Sequence, residues 1–299
     1  MERSLFVFRV LSAAAILVLV GILYLTIIRP WYLRWGATDG EVARKMPGDE
    51  IVAQPTFNST RAVTVYGSPE DIWPWLVQIG YGRAGFYGYD LIENLGSPRG
   101  LESAREIIPE LQRFEVGDDL PISVVATYKI REMKPGRYLI WADENDGAFT
   151  WGLYPLNVHQ TRLVLRFRFH HRWYDYLFTD WADHIAVRKM LLGVKDRAEG
   201  RVEPVIYQNT EIATWAFAAV ELILAIILIF KLPRWWWGWL LALTGSGILL
   251  ITLYTFPPIW LSISLEGILL VCLILIVRIS AIEKGKQDLQ QNTAVLIQP

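Results

Sequence analysis

Four apolar stretches, residues 5–28, 212–230, 235–256 and 259–277, dominate this chain. Each supplies the run of about 20 apolar residues needed to cross a hydrocarbon core about 30 Å thick. A backbone in lipid has no water to bond, so such runs must fold as helices. Between the first and second runs lies a segment of ordinary globular composition. The layout predicts an N-terminal transmembrane anchor (1–30), a tether (31–60), a globular domain (61–200), three more transmembrane helices (211–278) and a polar tail (279–299).

Composition agrees with that division. At 53% hydrophobic and 20% charged, the chain is too apolar to be wholly soluble and too charged to be wholly intramembrane. Its formal charge of −1 offers no general attraction for nucleic acid, and no nucleic-acid partner is expected. The one cysteine, Cys272, lies in the last apolar run, which excludes an intrachain disulfide and a cysteine-based zinc site. His170 and His171 are neighbours at a strand end and point to opposite faces, and His159 stands apart. No metal spacing results, and no cofactor is expected.

The first run is longer than a signal-peptide core and lacks a small-residue cleavage site, so it reads as a retained anchor. Tryptophans cluster where the runs should meet water: Trp31, Trp35, Trp215, Trp235 to Trp237, Trp239 and Trp260. Threaded in order, four helices put Arg3, Arg9, Lys231, Arg234, Arg278, Lys284 and Lys286 on one side. The positive-inside rule then places both termini in the cytoplasm and the large domain outside, although Arg29 and Arg34 oppose it. The Asn58-Ser59-Thr60 sequon is too common a triplet to decide the matter. Glu221 and Glu266 fall near mid-membrane, where carboxyl groups are costly. They form either a proton or polar-ligand site, or a hydrogen-bonded helix contact with Thr244 or Ser246 as partners.

Within the globular segment, residues 61–66 alternate as a strand. Ser68-Pro69-Glu70-Asp71 then has the composition of a helix start, opening a helix that stops by Gly80. Asp90 can cap a second short helix at 91–95. Strand-like runs follow at 122–133, 137–142, 148–154 and 161–170, with turns at Lys134-Pro135-Gly136 and 143–147. In the last run Leu163, Leu165, Phe167 and Phe169 share one face, while Arg162, Arg166, Arg168 and His170 share a wetter one. Trp173, Leu177, Trp181, His184, Val187, Leu191 and Val194 recur at helical spacing over 173–199. These elements predict an α+β domain: an antiparallel sheet gripping one long C-terminal helix.

That order resembles the START/Bet v1-like helix-grip superfamily, or SRPBCC, which includes polyketide cyclase/dehydrase-like and lipid-transfer proteins. The residues that carry the resemblance are Ser68 to Gly80, Tyr81 to Asp90 with Glu93-Asn94-Leu95, Thr161-Arg162-Leu163 with Arg166, and Met190 to Glu199. They span under half of the chain and leave the membrane runs unexplained. The resemblance implies a deep apolar cavity for a hydrophobic ligand. It implies no reaction, because the superfamily contains binders, transporters and enzymes without a shared catalytic set.

The leading expectation is a membrane-anchored domain that binds a lipid or other hydrophobic small molecule. Leu163, Leu165, Phe167, Phe169, Trp151, Trp181 and His184 are the expected lining. Arg83, Tyr87 and Tyr89 can contact a polar head at the mouth. Against that, the glycine-rich loop at 80–90 can simply pack aromatics on the sheet, with Asp90 as a helix cap. His184 is either an acid/base group or a hydrogen-bonded core residue, with Asp180 and Asp183 nearby. One alternative is a cyclase- or dehydratase-type enzyme using His184, Tyr87 or Asp90, which requires at least two of them in one pocket. Another is a membrane-tethered protein-interaction module, for which the sequence names no partner.

Overall fold

A computed structural model describes residues 2–143, 147–170, 175–231, 236–255 and 257–296. Within these, the side chains of 2–6, 13, 17, 175–181, 231, 287–288 and 291–296 are not described. The expected turn through 144–146, His171, Trp173, Arg234 and Trp235, and the side chains of Leu177, Asp180 and Trp181, lie outside that description. The chain divides into two compact units, Met1–Glu203 and Pro204–Pro299.

The first unit opens with α1 (Glu2–Leu23), which passes through a π-helical turn at Tyr24–Ile28 into α2 (Arg29–Leu33). A short helix α3 (Asp39–Ala43) follows, held by a capping box in which Thr38 Oγ1 accepts from Glu41 N and Glu41 Oε2 accepts from Thr38 N. The domain proper runs β1 (Phe57–Val65), α4 (Pro69–Gln78), α5 (Asp90–Glu93), β2 (Asp119–Pro121), β3 (Thr127–Lys134), β4 (Tyr138–Ala142), β5 (Gly147–Asn157), β6 (Gln160–Phe169) and α6 (Asp175–Ala198). The strands form one six-stranded antiparallel sheet in the order β1-β6-β5-β4-β3-β2. The first strand therefore pairs with the last, and α4 and α5 occupy the crossover between β1 and β2. This is the α+β helix-grip architecture.

Three differences from the sequence reading have physical causes. Only the later part of the run at 122–133 is strand, β3 from Thr127, paired with a short β2 that ends at Pro121; between them Ser123 Oγ accepts from Val125 N and Ala126 N and closes a turn that alternation alone conceals. The first strand begins at Phe57, because Phe57 and Ser59 pair with Phe169 and Phe167 of β6. The arginine face of β6 is not a solvated surface. Residues 37–54 fold over it as a strap, and Arg166 is buried with bonds to Asp49, Thr60 Oγ1 and the carbonyls of Glu41, Val42 and Arg44. Arg162 pairs with Glu41, and Arg168 with Asp49. Met46 packs beside Ala62 and Val164, and Val52 beside Ala142 and Ala148. Both faces of the sheet are covered, by the strap on one side and by α4 and α6 on the other.

The main core lies on the helix side. Val63, Val65, Leu139, Trp151, Leu163 and Leu165 from the sheet meet Ile72 and Leu76 of α4 and Val187, Leu191 and Val194 of α6. Burying each such side chain contributes about 1.5–3 kcal/mol.

The second unit consists of α7 (Val205–Lys231), α8 (Trp236–Thr255) and α9 (Ile259–Leu296), which pack on one another. Gly238 of α8 lies so close to α7 that an added Cβ would stand 2.5 Å from Ile229 N. Glu221 and Glu266 are buried beside each other between α7 and α9, whereas Thr244 is exposed. The expected polar tail continues the helix of α9 to Leu296. Among the described residues, four helical stretches are long and apolar enough to cross a membrane: Val7–Leu33, Val205–Phe230, Trp236–Thr255 and Ile259–Lys286.

Candidate functional site

Strand alternation places Leu139 and Trp141 of β4, Phe149 and Trp151 of β5, and Leu165, Phe167 and Phe169 of β6 on the face that α6 grips. At the end of the sheet where α6 begins, the register sets Phe149 directly opposite Phe167. Their rings stack at 3.9 Å with an 8° interplanar angle. Phe169 extends the stack from Phe167, Phe57 tilts against it, and Tyr128 and Trp141 flank Phe149. Phe149, Phe169 and Tyr128 are only half-buried, so the edge of this aromatic slab reaches solvent.

Deeper in, Trp141 and Trp151 lie with ring centroids 5.6 Å apart and are almost wholly buried. Neither indole Nε1–H has a hydrogen-bond acceptor among the described residues. A buried donor left unpaired costs about 1–3 kcal/mol, which gives an acceptor in the grip a direct energetic reward. Trp141, Phe149 and Tyr128 were not among the sequence candidates. The period-two alternation from Leu139 to Trp141, continued across the register, was the signal that could have found them.

The loop candidates occupy different surroundings. Arg83 donates to the carbonyls of Val77, Ile79 and Leu111 and lies 4.2 Å over the Phe114 ring, and burial pulls its guanidinium down to about 10. Tyr87 sits at φ 63°, packs edge-on to Trp75 and donates its hydroxyl to Trp75 O at 3.1 Å. Arg197 covers its ring at 4.2 Å, and burial pushes the phenol up. Tyr89 is buried under Lys189 at 5.2 Å. Asp90 starts α5, and its carboxylate accepts from Ser103 N, Ser103 Oγ and Asn94 Nδ2, which ties the loop at 101–103 to α5.

His184 is fully buried on α6 and packs against Trp31 and Tyr32 of α2, at 5.6 and 5.1 Å between ring centroids. Beside it, Asp183 Oδ2 pairs with Arg61 Nη1 of β1 at 2.7 Å. Arg61 also donates to Tyr32 O, and the Tyr32 hydroxyl meets the Tyr24 hydroxyl at 2.9 Å. The helix α2 is therefore locked to the domain through a buried polar cluster. Tyr87 packs against Gly193, nine residues along α6 from His184, a rise of about 13 Å. His184 and Tyr87 thus do not share one pocket. Among the described residues, no three His, Cys, Asp or Glu side chains gather closely enough to hold a metal ion.

Together these features define a helix-grip domain joined to helices of membrane-spanning length. No protein-family model matches the chain, and no curated protein matches it. Solved structures do. The Zhui aromatase/cyclase from Streptomyces sp. R1128 is 18% identical, with 49% of this chain and 95% of that one covered and a TM-score of 0.29. A polyketide-cyclase-like protein from Corynebacterium glutamicum is 14% identical, over 48% and 91% of the two chains, with a TM-score of 0.27. A conserved protein of unknown function from Enterococcus faecalis is also 14% identical, over 49% and 80%, with a TM-score of 0.28. All three align with less than half of this chain.

Proposed function

We propose that the domain binds a lipid or another hydrophobic small molecule in the grip between its sheet and α6, beside the membrane. The carrying observation is the pair of buried indole donors, Trp141 and Trp151, behind the slab of buried Phe167 and half-buried Phe149 and Phe169. Such a site favours an apolar body carrying a hydrogen-bond acceptor, a carbonyl or hydroxyl oxygen, at its inner end. Leu163 and Leu165 continue the same apolar face inward. Each 100 Å² of apolar ligand surface removed from water would contribute about 2.5 kcal/mol. The anchor keeps the domain near the bilayer, where such ligands concentrate.

The separation of His184 from Tyr87 supports a binding protein over a cyclase, whose acid and base would have to converge. On the positive-inside argument, the domain lies on the non-cytoplasmic side of the membrane.

The test is organic extraction of the purified full chain followed by mass spectrometry, alongside a Phe149→Ala/Phe167→Ala variant. Recovery of one class of apolar molecule from the native chain, reduced in the variant, supports the reading. Equal recovery from both would show bulk lipid carried on the membrane helices and would remove the interior site.

A further inference from the structure

A concavity lies where the strap, the start of α4 and the β3–β4 turn meet at one end of the sheet. It has a volume of about 700 Å³, within the size range of small-molecule sites. Four basic side chains line it: Arg44 and Lys45 from the strap, and Lys134 and Arg137 from the turn between β3 and β4. Glu70, at the start of α4, is the one acidic residue in the lining.

The pairing pattern distinguishes this cleft from the strap-covered face of the sheet. There, Arg162, Arg166 and Arg168 are each held by an acid of the strap. Arg44, Lys45, Lys134 and Arg137 are all exposed, and among the described residues none forms an ion pair. Two separate chain segments thus bring four cations and one carboxylate, Glu70, into one concavity, leaving an excess of positive charge that an anion would offset.

The walls are stiff. Pro47, Pro69, Pro135 and Pro155 line the cleft with fixed φ and no N–H. Gly136 makes its tight turn at φ 67°. Arg44 already lies over the Tyr154 ring, 4.6 Å from its centroid, which holds its guanidinium beside the cleft. A rigid, cation-lined concavity with aromatic walls suits a compact polyanion better than a neutral ligand.

We infer that this cleft binds a phosphate group, carried either by an anionic lipid headgroup or by a soluble organic phosphate. The site is separate from the grip and stands whether or not the grip holds a ligand. Phosphate oxygens would accept from Arg44 and Arg137 guanidinium groups, with Lys45 and Lys134 adding charge.

The experiment uses the full chain in nanodiscs. In one arm, inorganic pyrophosphate is titrated by calorimetry into nanodiscs of phosphatidylcholine alone. In the other, hydrogen exchange at residues 44–47 and 134–138 is compared between phosphatidylcholine nanodiscs with and without phosphatidic acid. Each arm is repeated with Lys134→Gln/Arg137→Gln and with Arg99→Gln/Arg113→Gln, which removes the same charge from exposed positions outside the cleft.

The cleft pair should weaken pyrophosphate binding about tenfold, or abolish the protection given by phosphatidic acid, while the control pair leaves both unchanged. Pyrophosphate binding identifies a soluble phosphate, and protection by phosphatidic acid without it identifies a headgroup. Absence of both signals, or equal loss in the two pairs, overturns the site.

Discussion

Arg61 of β1 and Asp183 of α6 form an ion pair at 2.7 Å with side-chain exposures of 0% and 4%. The pair joins the edge strand to the gripped helix beside α2. Arg61 also holds Tyr32 O, so it ties three elements at once. Asp183→Ala should lower stability by about 3–5 kcal/mol, because it leaves a buried guanidinium unpaired. Arg61→Met/Asp183→Leu should cost less than that single change. Thermal unfolding of the full chain measures both. A double variant as damaged as the single one would show that other contacts at Arg61 carry the effect.

Gly193 of α6 lies where an added Cβ would stand 2.0 Å from Tyr87 O. Gly193→Ala should therefore destabilise the domain by about 1–3 kcal/mol, despite alanine's better helix propensity. Denaturant midpoints of the two proteins give the answer. A neutral or stabilising substitution would mean that the loop at 80–90 moves freely away from α6.

Burial pushes the Glu93 carboxyl up to about 8, and nearby Asp90 adds to the effect, against bonds from the Tyr89 and Gly88 backbone and the charge of Lys189. The residue is half-buried, but its Oε2 is enclosed without a hydrogen-bond partner. Its usual value is 4.5, so between pH 4.5 and about 8 the folded chain holds a proton that the unfolded chain has lost. Stability must then fall as pH rises through that window. Glu93→Gln should remove this slope and exceed the native chain in stability at pH 8, with the advantage fading towards pH 5. Parallel slopes for both proteins would place the carboxyl in water.

Much of this was legible in the sequence, and the omissions share a cause. Apolar runs and strand alternation report which face of an element is buried, and they gave the long helices, the inward face of β6 and, on α6, the buried positions His184, Val187, Leu191 and Val194. They do not report what covers the other face. Arg162, Arg166 and Arg168 read as solvated because their partners, Glu41 and Asp49, sit more than 100 residues away in a strap with no periodicity of its own. Arg61 carried a readable signal, since it shares strand parity with Val63 and Val65 and so had to point inward. The aromatic slab depends on cross-strand register, which no single segment specifies.

The strap makes a prediction of its own. Arg166 bonds to three strap carbonyls and to Asp49. Arg166→Leu should leave those groups unpaired and open residues 37–54 to limited proteolysis. It should also reduce stability by about 2–4 kcal/mol. Unchanged cleavage kinetics would mean that Met46 and Val52 hold the strap without it.

Sidedness can be read at Val125, which is 94% exposed at the tip of the β2–β3 turn. In a Cys272→Ser background, Val125→Cys should react with a membrane-impermeant maleimide added to intact cells. Labelling only after permeabilisation would put the domain in the cytoplasm.

Native mass spectrometry of the intact chain, released from mild detergent, tests the occupied grip most directly. The account predicts a retained apolar adduct at one per chain, with a Trp141→Phe/Trp151→Phe variant keeping its fold but losing most of the adduct. A chain that flies bare under conditions preserving its fold, or an adduct indifferent to both indoles, would contradict it.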